Sequence, residues 1–227
     1  MAQPKEVLDM KGIHSGQRVF MIGNGPSLWA QMDILPRLNE ELTVACNHIY
    51  RWEECPIAPT YWGITEPDIK ACHRKALDLF QMRWPDAIPL LLHDSPDFLG
   101  EDARDIGWTW VERSGQQIRD HGFEGLGHEL IALPSGWTTP LTIAQFMAWC
   151  GVREFFFIGM DITGDGWVYP NDGGRTLHER SIRAIGQSFQ RAKEDIEAVG
   201  GTITNCTAGG NLPKFIERVS LEEVLDA

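Results

Sequence analysis

No Cys-x-x-Cys pair occurs in the chain, and its five cysteines (Cys46, Cys55, Cys72, Cys150 and Cys206) are an odd number. A disulfide framework or a structural zinc site therefore has little support, and mostly buried or free thiols are expected. Positive charge is also scarce. Twenty Lys and Arg stand against 32 Asp and Glu, a formal net charge of −12, which argues against broad electrostatic binding to DNA or RNA. No apolar run approaches the roughly 20 residues that a membrane-spanning helix needs. Residues 1–6 lack a basic-then-apolar leader, so the cytoplasm is the expected location. Internal repeats and low-complexity tracts are missing too. Tyrosine is rare, with three against nine tryptophans and ten phenylalanines. That balance points to a large core, with some aromatic surface around a cleft.

At 227 residues the chain suits one sizeable core and is short for two full domains, so residues 1–227 read as a single domain. Short apolar runs at 18–23 (RVFMIG), 42–46 (LTVAC), 60–64 (TYWGI), 88–93 (IPLLLH) and 154–159 (EFFFIG) read as buried strands. Helical patterns lie between them. This order predicts an α/β, Rossmann-like fold: a mostly parallel sheet with helices on both faces. Thr139 and Pro140 open a helix that runs to Trp149 and is ended by Gly151, with apolar residues almost all round. A second helix is predicted over 178–199, where Ile182, Ile185, Phe189, Ala192, Ile196 and Val199 make one apolar stripe. A short third one starts at Ser220, which forms a capping box with Glu223. Residues 95–133 show no sustained period and read as an irregular, lid-like insertion.

Three segments could carry chemistry. Gly23-Asn24-Gly25-Pro26-Ser27-Leu28 follows the first strand. Its glycines would let the backbone approach a ligand, the next helix start would offer N–H groups to an anion, and Asn24 could reach a ribose or phosphate. It is neither a dinucleotide fingerprint nor a P-loop, and a tight strand-to-helix turn explains it equally well. Asp161 ends the strand at 154–159, where open α/β sheets bind ligands, and Tyr169 lies in the glycine-bearing loop beyond. A capping aspartate and a surface tyrosine are the ordinary reading. His178 opens the long amphipathic helix; a histidine titrates near neutrality and is the usual proton acceptor from a hydroxyl.

Together these segments, with VACNHIYRW, PTYWGITEPD, GVREFFFIGMDI and NCTAGGNLPKFIERVSLEEVL, resemble a bacterial family labelled MptE-like, after an archaeal 6-hydroxymethylpterin diphosphokinase. The resemblance runs from about residue 16 to 225 and is weakest over 95–133. Bacterial members often sit among surface-polysaccharide genes. The pattern also resembles the bacterial CMP-sialic-acid-dependent sialyltransferases. That resemblance implies that Gly23, Asn24, Gly25, Pro26, Ser27 and Asn47 hold the nucleotide, and that Glu66 stands where the family has asparagine. It places Ser135 and Gly136 at the donor, Asp161 in the family's Gly-Ile-Asp segment and Tyr169 at the phosphate. Thr163 replaces the family's other phosphate tyrosine, and His178 matches its catalytic base.

The implied reaction is glycosyl transfer from a nucleotide-sugar, with a CMP-linked acidic sugar as preferred donor and a glycan or small-molecule hydroxyl as acceptor. His178 would act as base and the sugar carbon would invert. No Asp-x-Asp pair, the usual Mg²⁺ holder for nucleoside diphosphate-sugars, occurs in the chain, so a metal-independent reaction without a cofactor is expected. The second reading is a diphosphokinase using ATP and Mg²⁺ on Glu66, Asp68 and Asp161. The third is a non-catalytic nucleotide-binding protein. No nucleic acid partner is expected, and the oligomeric state is left open.

Overall fold

The computed structural model describes residues 7–65, 73–93, 109–127, 132–162, 166–168 and 178–227. Among these described residues nine strands form one sheet: β1 (Arg18–Ile22), β2 (Leu42–Cys46), β3 (Tyr61–Ile64), β4 (Ile88–His93), β5 (Thr109–Gln117), β6 (Leu133–Ser135), β7 (Glu154–Ile158), β8 (Thr202–Asn205) and β9 (Glu217–Arg218). Their order is β6-β5-β4-β3-β2-β1-β7-β8-β9. Every neighbouring pair is parallel, as the alternating pattern predicts. The α-helices are α1 (His73–Arg83), α2 (Ile118–His121), α3 (Thr139–Trp149), α4 (Glu179–Ala198) and α5 (Leu221–Asp226), with short 3₁₀ turns after β1 and β2.

A parallel sheet is covered on both faces, and its strands show it by alternation. Val19, Met21, Phe155 and Phe157 face one core, with α3 and the buried stripe of α4. Phe20, Ile22, Phe156 and Ile158 face the other, with α1, α5 and the 3₁₀ turn that carries Leu28. Residues 140–149 of α3 are all buried, matching its all-round apolar sequence. Its cap is Thr138, one residue earlier than predicted, whose hydroxyl accepts the Leu141 N–H. In α4 the stripe holds at Ile185, Phe189, Ala192 and Ile196, while the terminal Ile182 and Val199 are exposed. The Ser220–Glu223 capping box is present at α5.

One expectation is corrected in part. Within 95–133, residues 109–117 form a nine-residue strand inside the sheet and 118–121 a helical turn; residues 94–108 and 128–131 lie outside the described residues. The strand hides in sequence because its run Val111–Gln117 buries only Val111 and contains Gly115, so no apolar run marks it.

Candidate functional site

From β1 the chain steps outward to β6, then returns through α3 to β7 on the other side of β1. The order reverses between β1 and β7, and the loops leaving their carboxyl ends diverge there. Such a switch point is where open parallel sheets form a crevice.

The two loops are clasped. Gly23 N–H donates to the Ile158 carbonyl and Gly25 N–H to that of Gly159, both at 2.9 Å. A Cβ on Gly23 would fall 2.4 Å from the Gly159 oxygen, and one on Gly25 would fall 1.7 Å from Asp161 Oδ2. These glycines therefore make room for the neighbouring loop, the kind of close approach that the sequence led us to expect of a ligand. Asp161 completes the clasp: its carboxylate accepts the Ser27 hydroxyl at 2.7 Å and the Ser27 N–H at 3.2 Å. The Ser27 N–H, at the turn expected to await an anion, is thus taken by a carboxylate from the loop after β7, the capping role that is ordinary for an aspartate. The NCTAGGNL segment braces the clasp from behind. Thr207 Oγ1 accepts the Met160 N–H at 3.1 Å, and Asn211 N–H donates to the Asp161 carbonyl at 2.7 Å.

In front of the clasp lies a cavity of about 180 Å³. Gly23, Asn24 and Gly25 line it from the β1 loop, Cys46 and Asn47 from the end of β2, and residues 137–140 from the start of α3. Residues 159–162, 166 and 167, and Ile185 of α4 close it. Asn47 is fixed at both ends: its Nδ2 donates to Thr139 Oγ1 at 2.9 Å, and its Oδ1 accepts the Thr65 N–H at 3.1 Å. Asn24 is satisfied at one end only. Its Nδ2 donates to the Cys46 carbonyl at 3.1 Å, while the buried Oδ1 has no donor. The Trp137 indole N–H likewise has no acceptor.

The backbone here is strained. Among the described residues, the non-glycine residues with positive φ are Asn47 (48°), Trp137 (61°) and Ile162 (53°), and all three line this cavity. Asparagine tolerates that region, but for tryptophan and isoleucine it costs on the order of 1–3 kcal/mol each. Strain of this kind persists where surrounding packing enforces it, and it clusters at functional sites. The described lining holds no lysine, arginine or histidine; its charged residue is Asp161.

Of the residues singled out from sequence, Gly23, Asn24, Gly25, Asn47 and Asp161 come together at the cavity. Pro26 and Ser27 sit just behind it in the 3₁₀ turn. Ser135 and Gly136 precede the cavity wall without lining it, and Gly136 N–H donates to Thr142 Oγ1 at 3.0 Å. Glu66, Asp68, Thr163 and Tyr169 lie outside the described residues. His178 is exposed and occupies the N-cap of α4, where its side chain makes no capping hydrogen bond. Since α4 links two parallel strands, β7 and β8, its first turn stands at the carboxyl rim of the sheet. Ile185, two turns further on, lines the cavity, which puts His178 about 10 Å along the helix axis from that contact.

Sequence reasoning missed Trp137, Ile162 and Trp167. Nothing in the local sequence announces them; their roles come from a backbone that only the assembled loops impose. The thiols behave as expected. Among the described cysteines, Cys46, Cys55, Cys150 and Cys206 are in no disulfide, and burial pushes Cys150 and Cys206 up to about 12. No group of three or more His, Cys, Asp or Glu side chains suited to a metal ion occurs among the described residues, nor is any described helix long and apolar enough to cross a membrane.

No family model matches the chain, and no curated protein matches it. Solved structures do. The MAf glycosyltransferase from Magnetospirillum magneticum AMB-1 aligns with a TM-score of 0.58 at 16% identity, over 96% of this chain and 39% of that one. The chain therefore spans well under half of that protein. The sialyltransferase CstII from Campylobacter jejuni, in complex with a substrate analogue, cytidine-5'-monophosphate, aligns with a TM-score of 0.54 at 14% identity. That match covers 90% of this chain and 85% of the other. A second sialyltransferase structure, CST-II with a trisaccharide acceptor and CMP, gives 0.51 at 13% identity over 89% and 86%. At such identities the likeness concerns the fold.

Proposed function

We propose that the protein is a nucleotide-sugar-dependent glycosyltransferase that prefers a CMP-linked acidic sugar. The observation that carries this reading is the strained cavity at the β1/β7 switch point, which gathers Asn24, Asn47 and Asp161 in a fold shared along nearly the whole of a sialyltransferase. The nucleotide lies across the carboxyl ends of β1, β2 and β7. His178, at the same rim, takes the proton from an acceptor hydroxyl. The freed oxygen forms a bond to the anomeric carbon as the bond from that carbon to the CMP phosphate oxygen breaks on the opposite face. The sugar inverts, CMP leaves with the bonding pair, and the imidazolium returns its proton to water. Tyr169 would steady the departing phosphate, and Glu66 and Thr163 would border the donor; Ser135 and Gly136 would hold it through the backbone.

A CMP leaving group needs no metal, since a phosphate monoester departs readily with a histidine base at work. The diphosphokinase reading has no observation in its favour among the described residues, where the Asp161 carboxylate is committed to Ser27. Thermal melting and calorimetry with CMP, CTP and ATP, each with EDTA or Mg²⁺, decide between them. Metal-free stabilisation by CMP is expected. Stabilisation by ATP alone, and only with Mg²⁺, would overturn the transferase reading in favour of the kinase. A non-catalytic binding protein would bind CMP yet lose nothing in the cell on His178→Ala.

A further inference from the structure

Trp137 has no assigned part in the reading above, yet three observations converge on it. Its backbone is left-handed at φ 61°, its indole N–H is buried without an acceptor, and it walls the cavity. Asn24 lines the same cavity, and its Oδ1 is buried without a donor in a residue only 8% exposed. Each orphan is costly by itself, because a buried polar group loses its water without gaining a partner. Turning the Asn24 amide over would not help, since its Nδ2 would then forfeit the Cys46 carbonyl.

We propose that Trp137 is a ligand-binding residue, and that its indole N–H and Asn24 Oδ1 form a donor–acceptor pair completed by the uncharged half of the nucleotide. This rests on the nucleotide-sugar reading and says which part of the donor sits there. The chemistry excludes the phosphate. An unpaired carbonyl oxygen repels an anionic oxygen, and the charged residue in the described lining, Asp161, is itself negative. What fits is a group carrying a hydrogen-bond donor beside an acceptor, a pair of ribose hydroxyls or the amide-like edge of a pyrimidine. The acceptor atom of that group receives the Trp137 N–H, and its donor reaches Asn24 Oδ1. Both protein atoms are closed to bulk water in the free chain, so the ligand completes them by shifting the indole. The clasp fits this division: the Gly23, Gly25 and Ser27 amides are taken by the β7 loop and offer a phosphate nothing.

Trp137→Phe tests the proposal in the full chain, because it deletes the N–H while keeping an aromatic, if smaller, ring and the backbone strain. The probes are cytidine, CMP and inorganic phosphate, followed by calorimetry. Cytidine and CMP affinities are expected to fall together, by about 5- to 10-fold, the worth of one hydrogen bond. Any affinity for phosphate alone should not change. The ligand-free variant should melt higher, by about 2–4 °C, because it buries one unsatisfied group fewer; a merely structural tryptophan would melt lower on the same change. 2′-Deoxycytidine and uridine identify the gripped edge: whichever probe has lost the contact will bind wild type and variant alike. Unchanged cytidine and CMP affinities, a loss confined to phosphate, or a lower melting point would each overturn the proposal. If wild type itself binds neither cytidine nor CMP, the nucleotide reading fails and takes this inference with it; normal wild-type binding with an indifferent variant sinks the Trp137 assignment alone.

Discussion

At the amino edge of the sheet, polar side chains are paired with one another. Arg18 holds Glu41 through two nitrogens, at 2.6 and 3.1 Å, and donates to the Val224 carbonyl at 2.7 Å. Thr43 and Thr60 exchange hydrogen bonds, each hydroxyl accepting the other's N–H. His14 sits between Gln17 and the Tyr61 hydroxyl. The carboxyl rim is built differently. Three left-handed backbones, an indole N–H without an acceptor and an amide oxygen without a donor gather around one cavity. The same sheet thus ends in satisfied chemistry on one side and in stored cost on the other. What sets the carboxyl rim apart is the left-handed backbone, since strain of that kind clusters at functional sites.

Substitutions at the two ends should separate function from stability. The largest effect is expected from His178→Ala: the rate of sugar transfer falls by about 10²- to 10⁴-fold, while the melting curve stays put because the side chain is exposed. A rate within threefold of wild type in a direct transfer assay would remove the histidine from the mechanism. Gly25→Ala comes next and should damage both properties. Its new methyl meets the Asp161 carboxylate and the Gly159 carbonyl, an overpacking worth about 1–3 kcal/mol or more in urea unfolding, with nucleotide binding lost alongside. Arg18→Met acts at the other edge. It should cost about 1.5–3 kcal/mol of stability, the range for hydrogen bonds to a charged group, and leave CMP affinity within a factor of two. A variant at this edge that bound CMP tenfold worse would dissolve the contrast.

Two smaller effects sharpen it. Cys150 and Cys206, held up to about 12 by burial, should resist alkylation at pH 8 in the native chain and react once it is unfolded. Their buried thiols contribute in full below the ordinary cysteine range, and stability is lost as pH climbs from that range to the raised value. Glu223 runs the other way. The Ser220 hydroxyl and N–H lower its pKa, so the α5 cap is intact above the ordinary carboxylate range and lets go as pH falls through the lowered value. Amide exchange in residues 221–224 should speed up there, before the rest of the chain responds.

The sequence made the strands legible wherever an apolar run was long enough to bury both faces, as in β1, β4 and β7. It concealed β5, whose Glu112, Gly115 and Gln116 are exposed, and β9, a two-residue pairing of Glu217 and Arg218. Helix ends were legible where capping is local: Ser220 with Glu223 needs no distant partner. At the cavity, Asn24 and Asp161 stood out because glycines and strand ends flank them, and Asn47 only through the resemblance to the sialyltransferases. The roles of the Gly23 and Gly25 amides were not legible, since what occupies them is a loop more than 130 residues away. Trp137 was invisible for a similar reason: a positive φ at tryptophan is imposed by packing, against the preference of the residue itself.

The interior helix α3 has a consequence of its own. Residues 140–149 are buried to the last side chain, and the residues just before them, Trp137 to Thr139, are a wall of the cavity. On the proposed reading, selectivity at this cavity is an extension of the hydrophobic interior. A methylene added or removed at Ile143 or Phe146 would tilt the rod and move its tip, so variation far from the ligand can redraw what the pocket accepts without touching any contact residue.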